Sequence, residues 1–209
     1  MKHPKSNFFT STLKAEPVFN LNKIKDSVFN YSLPILCHIF GASESGKTAL
    51  ALNIIKDNPD KTFIYVDTYY SSQVNPNTLS NNSFVMKSNR FSDIINILNN
   101  IDKDTCDYLI IDSFSNLYFE EESMKDNSFI YFNNAIKNII DKAFKKNISI
   151  LLLNTINGQG KPYNHCKELS KNERIEMQII STDDRSIELE IIKGKTLLGY
   201  KNIHYELEV

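Results

Sequence analysis

A chain of 209 residues with 41% hydrophobic residues can bury one sizeable core, and its formal net charge of −1 excludes a global basic field for nucleic acid or membranes. It has no apolar run long enough to span a bilayer, and its first residues lack the apolar segment of a secretory signal. Its cysteines, 3 in number, form no Cys-x-x-Cys pair, so neither zinc nor disulfides are expected. These features predict an intracellular protein that is not bound to a membrane.

The first predicted elements surround a glycine-containing loop. Residues 1–30 are expected to form a loose arm with one short helix, and 31–209 to form a single domain. In that domain an apolar strand, 35–40, leads into the loop sequence GASESGKT at 41–48. A helix follows and is expected to end at about Asp57, because the asparagine and proline that come next stop it. This order of strand, loop and helix predicts a phosphate-binding loop.

Each residue type in the loop has a role in holding a nucleotide. Gly41 and Gly46 let the backbone approach a phosphate without a Cβ in the way, and amide groups at the helix N-terminus point at the anion. Lys47 is predicted to reach the β- and γ-phosphates, and the Thr48 hydroxyl to ligate Mg²⁺. The predicted nucleotide-binding residues are Gly41, Ala42, Ser43, Glu44, Ser45, Gly46, Lys47 and Thr48.

The rest of the chain alternates strands and helices. Apolar runs predict further strands, most of them buried on both faces, at 62–66, 83–86, 108–111 and 148–153. Ser92 is a candidate N-cap of one helix, and Ser128 is expected to begin a longer one. Strands with one wet face, typical of antiparallel pairing, are predicted near the end at 174–181, 187–192 and 203–209. The predicted fold is α/β, with a central parallel sheet, helices on both faces and a C-terminal antiparallel extension.

Asp112 supplies a second motif. A carboxylate that ends a buried strand, after a phosphate-binding loop, holds the hydration shell of Mg²⁺. The run DYLIIDSFSNLYFEE, 107–121, resembles the Walker B region of RecA-type recombinases and is most similar to short recombinase paralogues of the X-ray-repair cross-complementing type. FIYVDTYY, 63–70, is similar to recombinases too, and the whole resemblance spans roughly 35–155.

This resemblance implies a RecA-like core that binds ATP and Mg²⁺. Lys47 and Asp112 are then the catalytic residues, and Thr48 and Asp112 the magnesium ligands. The implied function is that of a recombinase paralogue, which assists homologous recombination and DNA repair together with other paralogues or a recombinase. Its expected location is the nucleus in a eukaryote and the cytoplasm otherwise.

Tyr69 departs from the recombinase pattern. Recombinases carry at this position a glutamate that orients the attacking water, whereas a phenol keeps its proton at neutral pH and is no ready base. We therefore expect a weak ATP hydrolase that binds nucleotide but turns it over slowly. Asp67 lies at the same strand end, and ordinary turnover through this carboxylate stays open as the alternative.

The polar loop after the last central strand is the candidate nucleic-acid contact. It carries basic residues for phosphates and an aromatic ring for stacking, but Glu168 and Glu173 dilute the charge, so single-stranded DNA binding and a solvated loop are weighed equally. In recombinases an amide that senses the γ-phosphate precedes this loop, and Asn154 matches it in type, although Thr155 stands at the expected glutamine position. The candidate nucleic-acid ligands are Lys161, Lys167, Lys171 and Arg174.

Other functions of the same loop motif remain as alternatives. Lys193 and Lys195 resemble the cation pair with which KaiC- and DnaB-like ATPases reach the γ-phosphate of a neighbouring subunit, so a motor or switch working as a homo-oligomeric ring is the main alternative. A solvated hairpin tip would carry the same lysines. Phe132 and Ala135 match a recombinase polymerisation motif, which we interpret as coincidence because Phe132 is expected in the core. A phosphotransferase is disfavoured, since kinases close an arginine-rich lid and this chain is poor in arginine.

Overall fold

The computed structural model describes residues 34–70, 74, 79, 83–117, 128–156, 174–182, 186–193 and 202–206. The strands in these segments are β1 (Leu36–Gly41), β2 (Phe63–Asp67), β3 (Ser83–Lys87), β4 (Tyr108–Asp112), β5 (Ser149–Thr155), β6 (Arg174–Thr182), β7 (Ser186–Lys193) and β8 (Asn202–Glu206). The helices are α1 (Lys47–Asp57), α2 (Phe91–Asn100) and α3 (Ser128–Lys145), and 114–117 add a helical turn. Within the described segments no helix is long and apolar enough to cross a membrane. The expected arm, 1–30, lies outside the described residues.

One sheet of eight strands organises the molecule, in the order β3-β2-β4-β5-β1-β6-β7-β8. All neighbours from β3 to β6 pair in parallel, whereas β7 runs antiparallel to both β6 and β8. The protein is therefore α/β with a mostly parallel sheet, as predicted. The strand expected at 174–181 as part of the antiparallel extension instead pairs in parallel with β1, so the extension begins at β7. Because parallel strands end at the same edge, the carboxyl ends of β1, β2, β4 and β5 meet there.

Helices cover both faces of this sheet. On one face α1 packs Leu50 and Ile54 against strand residues such as Tyr65 and Ile110. On the other face α2 and α3 enclose a second apolar cluster that contains Leu109. Strands covered on both sides need apolar residues at every position, which is why their sequences are nearly continuous apolar runs.

The first turn of α2 differs from the prediction. The helix begins at Phe91, so Ser92 lies inside it and the prediction of Ser92 as its N-cap is wrong. Phe91 is fully buried and its ring meets Phe132 edge-on, which draws this residue into the helix. Ser88 stabilises the start instead: its hydroxyl accepts a hydrogen bond from the Arg90 amide at 3.1 Å and donates one to Asp93 at 2.5 Å.

The end of α1 agrees with the prediction. The helix ends at Asp57, and Asn58 follows as its C-cap. The Asn58 side-chain amide donates a hydrogen bond to the Ile54 carbonyl at 2.7 Å, and its backbone amide reaches the carbonyl of Ile55 at 3.2 Å. These bonds satisfy carbonyl groups that the helix itself leaves open.

Candidate nucleotide-binding site

The loop between β1 and α1 closes tightly on itself. Gly46 has a φ of 79°, in the left-handed region that favours glycine, and it is the N-cap of α1. A Cβ atom on Gly41 would lie 2.6 Å from the Ser45 hydroxyl and 3.0 Å from the Cβ of Ile179. Gly46 therefore provides the backbone conformation and Gly41 the space, so both glycines are required by this path of the chain.

The N-terminus of α1 is suited to an anion. Gly46 offers no side-chain cap, and the first turn of this 11-residue helix contains no acidic residue. Its first amide groups therefore keep their hydrogen-bonding capacity, and the positive end of the helix dipole points the same way. A phosphate group at this place would be stabilised by both effects.

Lys47 adds a positive charge to the loop. Its side chain is only 8% exposed, and its ammonium group donates hydrogen bonds to the carbonyls of Ala42 at 2.5 Å and Gly41 at 3.2 Å and to the Ser45 hydroxyl at 3.3 Å. Burial lowers the pKa of this ammonium group, an effect that the carboxylate of Asp112 opposes. The loop backbone thus holds the cation at the mouth of α1.

Asp112 receives two hydroxyl groups on one oxygen. Thr48, in the first turn of α1, donates a hydrogen bond to Asp112 Oδ2 at 2.6 Å, and Tyr65, in β2, donates one to the same atom at 2.5 Å. Burial raises the pKa of the Asp112 carboxyl and the nearby Asp67 adds to this, whereas the two hydroxyls and Lys47 act in the opposite direction. Because a hydroxyl that donates its proton keeps its oxygen lone pairs, Thr48 can bind a cation while it contacts Asp112.

The end of β2 is tied to the end of β4. Asp67 lies beside Asp112 in the parallel register, and its Oδ1 atom accepts the Tyr69 amide at 3.1 Å. Thr68 exchanges hydrogen bonds with Ser113: the Thr68 hydroxyl donates to the Ser113 carbonyl at 3.0 Å and accepts the Ser113 amide at 2.8 Å. The Tyr69 phenol remains 57% exposed. The backbone of this strand end is therefore fixed, while the phenol is free to meet a ligand.

These groups surround one cavity of about 530 Å³ at the carboxyl edge of the sheet, a volume within the range of small-molecule sites. Its lining residues are Ser43, Glu44, Ser45, Gly46, Lys47, Thr48, Ala49, Tyr69, Asp112, Ser113 and Thr155. The structure thus brings most of the predicted nucleotide-binding and magnesium-binding residues to one place. Gly41 and Ala42 lie beneath them and contribute carbonyl groups to Lys47.

Asn154 does not reach this cavity. The prediction placed it at the start of the polar loop, but β5 continues to Thr155 and Asn154 is fully buried. Successive residues of a strand point to opposite faces, so Thr155 faces the cavity and Asn154 the other side. In this structure Thr155 therefore lines the cavity, whereas Asn154, which matches the recombinase amide in type, does not.

The residues that sequence reasoning missed are Tyr65, Ser113 and Thr155. Tyr65 is the hydroxyl-bearing residue of an otherwise apolar and acidic strand, FIYVD, and stands two positions before Asp67 on the same face. That spacing is the signal that could have indicated a polar contact at the strand end. Ser113 and Thr155 follow predicted strands: Ser113 belongs to the run that resembles recombinases and Thr155 stands at their glutamine position, but neither was predicted to line the site.

Several predicted residues fall outside the described part of the chain. Neither the backbone nor the side chain is described for four predicted lysines, Lys161, Lys167, Lys171 and Lys195. Arg174 begins β6 and Lys193 ends β7, but their side chains are outside as well. In α3, Phe132 and Ala135 are both buried, which agrees with their interpretation as core residues.

No protein-family model matches this chain, and no curated protein matches it significantly. Among the described residues, no group of three or more His, Cys, Asp or Glu side chains could hold a metal ion by itself. Fold and site together define an α/β protein with a mostly parallel sheet, compatible with the P-loop or Rossmann type, whose loop, lysine, threonine and aspartate surround one cavity.

Proposed function

We propose that this chain binds ATP and Mg²⁺ as a RecA-type recombinase paralogue and hydrolyses ATP slowly. The observation that carries the proposal is the convergence of Lys47, Thr48 and Asp112 on one cavity, in front of a helix N-terminus without a side-chain cap. Each of these features favours a different part of a magnesium nucleotide: the helix and Lys47 its phosphates, Thr48 and Asp112 its metal.

Thr48 and Asp112 fit Mg²⁺ by their chemistry. This ion prefers oxygen ligands and is usually held by one or two protein oxygens together with phosphates and water. The Thr48 oxygen would bind it directly, and Asp112 would accept hydrogen bonds from its water shell. A bound Mg²⁺ neutralises charge on the β- and γ-phosphates during hydrolysis.

The assignment to recombinase paralogues rests on three supports. The run 107–121 resembles their Walker B region, and the sheet has the parallel centre, the helices on both faces and the antiparallel extension that were expected of a RecA-like core. Tyr69 lies on the cavity wall where a water-orienting carboxylate would be needed. This combination favours a protein that binds nucleotide firmly, assists a recombinase or other paralogues in DNA repair, and depends on them for its effect.

Nucleotide binding is tested by comparing two lysines of the same helix. Lys47→Ala removes the cation from the phosphates and is expected to weaken ATP binding by roughly tenfold or more, ~1.4 kcal/mol, measured by calorimetry with Mg²⁺. Lys56→Ala is the matched control, because Lys56 is exposed in the last turn of α1. This substitution removes the same charge far from the loop. Equal affinity of Lys47→Ala and the wild type would contradict the proposal.

Direct DNA contact is tested by the salt dependence of binding. Changing the loop residues Lys161, Lys167 and Lys171 to alanine is expected to weaken binding of single-stranded DNA and to flatten its salt slope by about two to three units. The control changes the exposed residues Lys103, Lys137 and Lys145 to alanine, so that the net charge falls by the same amount elsewhere. A slope that stays unchanged in the loop variant would assign the contact to another surface or to a partner protein.

A further inference from the structure

Tyr65 is a buried phenol with one specific contact. Its side chain is 0% exposed, inside β2 and among the apolar residues that pack under α1. Its hydroxyl donates to Asp112 Oδ2 at 2.5 Å. Asp112 lies in the neighbouring strand β4, two positions beyond Ile110, the residue that pairs with Tyr65. A buried hydroxyl without a partner would cost free energy, and a phenylalanine would fill the same apolar space. The hydroxyl is therefore accounted for by Asp112 and not by packing.

The two hydroxyl groups that donate to Asp112 differ in their other proposed contacts. The Thr48 hydroxyl is shared, since its oxygen is also the proposed ligand of Mg²⁺. The Tyr65 hydroxyl is enclosed in the core, where it donates to the carboxylate and also lies within hydrogen-bonding reach of the Thr48 hydroxyl. Among the described residues, every side-chain hydrogen bond of Asp112 ends on Oδ2, which leaves Oδ1 for groups in the cavity.

A carboxylate held at one oxygen by two donors from different elements cannot rotate freely about its last torsion. Thr48 fixes it from α1 and Tyr65 from β2, the strand that pairs with β4. Partners of this kind orient the groups that hold a metal, and removing the partner of a direct ligand commonly changes metal affinity by roughly 10–100-fold. Because Asp112 would act through the water shell of the ion, the lower end of this range is expected for Tyr65.

We propose that Tyr65 is a positioning residue for magnesium: through its hydrogen bond it orients the Asp112 carboxylate, and so sets how strongly Mg²⁺ tightens nucleotide binding. This inference rests on the proposed function, because it requires that the cavity binds a magnesium nucleotide. It adds to that function a residue from β2, the strand whose carboxyl end leads to Tyr69.

The test measures ADP affinity by calorimetry twice, once with Mg²⁺ and once with EDTA, and takes the ratio of the two affinities. In Tyr65→Phe this ratio is expected to fall about tenfold, while the affinity in EDTA stays within about twofold of the wild type. Tyr108→Phe is the matched control, since it removes a hydroxyl from another buried tyrosine, in the adjacent strand β4, and is expected to keep the wild-type ratio. A wild-type ratio in Tyr65→Phe would overturn the inference.

A double variant distinguishes positioning from general damage to the core. Asp112→Asn is expected to lower the ratio, and adding Tyr65→Phe to it should lower the ratio no further, because Tyr65 acts only through Asp112. If the two losses add, Tyr65 acts by another route and the inference is overturned. A wild-type protein that binds no ADP even in EDTA contradicts instead the proposed function, and this outcome is recognised before any variant is compared.

Discussion

Two strand ends meet at the cavity, and their polar groups are used in different ways. At the end of β1 the first amides of α1 have no side-chain cap. Lys47 and Thr48 line the cavity there, although Lys47 is also hydrogen-bonded to the loop and Thr48 to Asp112. At the end of β2 most polar groups are bound within the protein, since Asp67 Oδ1 accepts the Tyr69 amide and Thr68 exchanges hydrogen bonds with Ser113. Asp67 Oδ2 is the exception: it is buried and has no hydrogen-bond partner among the described residues.

The difference separates binding from turnover. The end of β1 presents the groups that the proposed nucleotide binding uses, whereas the end of β2 presents a phenol where the proposed hydrolysis would use a base. Asp112 lies between them and receives one hydroxyl from each side, from Thr48 and from Tyr65. Firm binding with slow hydrolysis is what this division of groups favours.

The largest expected effect is on the rate of ATP hydrolysis, when a base is introduced at the end of β2. Tyr69→Glu places a carboxylate on the cavity wall and is expected to raise the rate of ATP hydrolysis, since a positioned base contributes roughly 10²–10⁴-fold. The wild type should stay below the ~1–10³ s⁻¹ that is usual for enzymes. Phosphate release at saturating ATP and Mg²⁺ measures both. Tyr70→Glu is the control, because Tyr70 is similarly exposed but does not line the cavity.

A wild-type protein that hydrolyses several ATP molecules per second would contradict this comparison and favour the ring-forming motor. Asp67→Asn then identifies the base. If Asp67 substitutes for the missing glutamate, its loss should abolish that activity, whereas slow background hydrolysis without a base should be unaffected by it.

Much of the fold could be predicted because its signals are local. Apolar runs mark the buried strands, and glycine, lysine and threonine at fixed spacing mark the predicted phosphate-binding loop. Lys47, Thr48 and Asp112 were predicted in this way, and the structure brings all three to one cavity. For these residues the role follows from the few positions on either side of them.

The remaining site residues depend on which strands lie side by side. Tyr65 reaches Asp112 because β2 pairs with β4 in the register that places Asp67 opposite Asp112, and no local pattern specifies that pairing. Thr155 lines the cavity and Asn154 does not, because strand β5 runs farther than expected and side chains alternate between faces at every residue. A strand boundary shifted by two residues thus affects which side chain lines the cavity.

The smallest expected effect concerns the charge of Asp112, which lies between the two strand ends, and its influence on stability. Burial raises the pKa of the Asp112 carboxyl in the folded protein, and Asp67 adds to the effect. A raised folded pKa means that stability is fully present below the unfolded pKa of about 3.9 and is lost as pH rises through the folded value. At neutral pH and without nucleotide, the charged form of Asp112 should therefore lower the free energy of unfolding.

Asp112→Asn removes this ionisable group and is expected to weaken the pH dependence of the free energy of unfolding. Relative to the wild type, the variant should gain stability as pH rises from about 4 to about 8, measured as the shift in the urea midpoint between the two proteins at each pH. Asp141→Asn, at an exposed position of α3, is the control for the loss of one charge. If the difference between wild type and Asp112→Asn does not change with pH, the hydroxyls of Thr48 and Tyr65 and the cation of Lys47 compensate the buried charge fully. The buried charge of Asp112 would then not lower the free energy of unfolding. Binding of a magnesium nucleotide would gain no free energy by neutralising that charge.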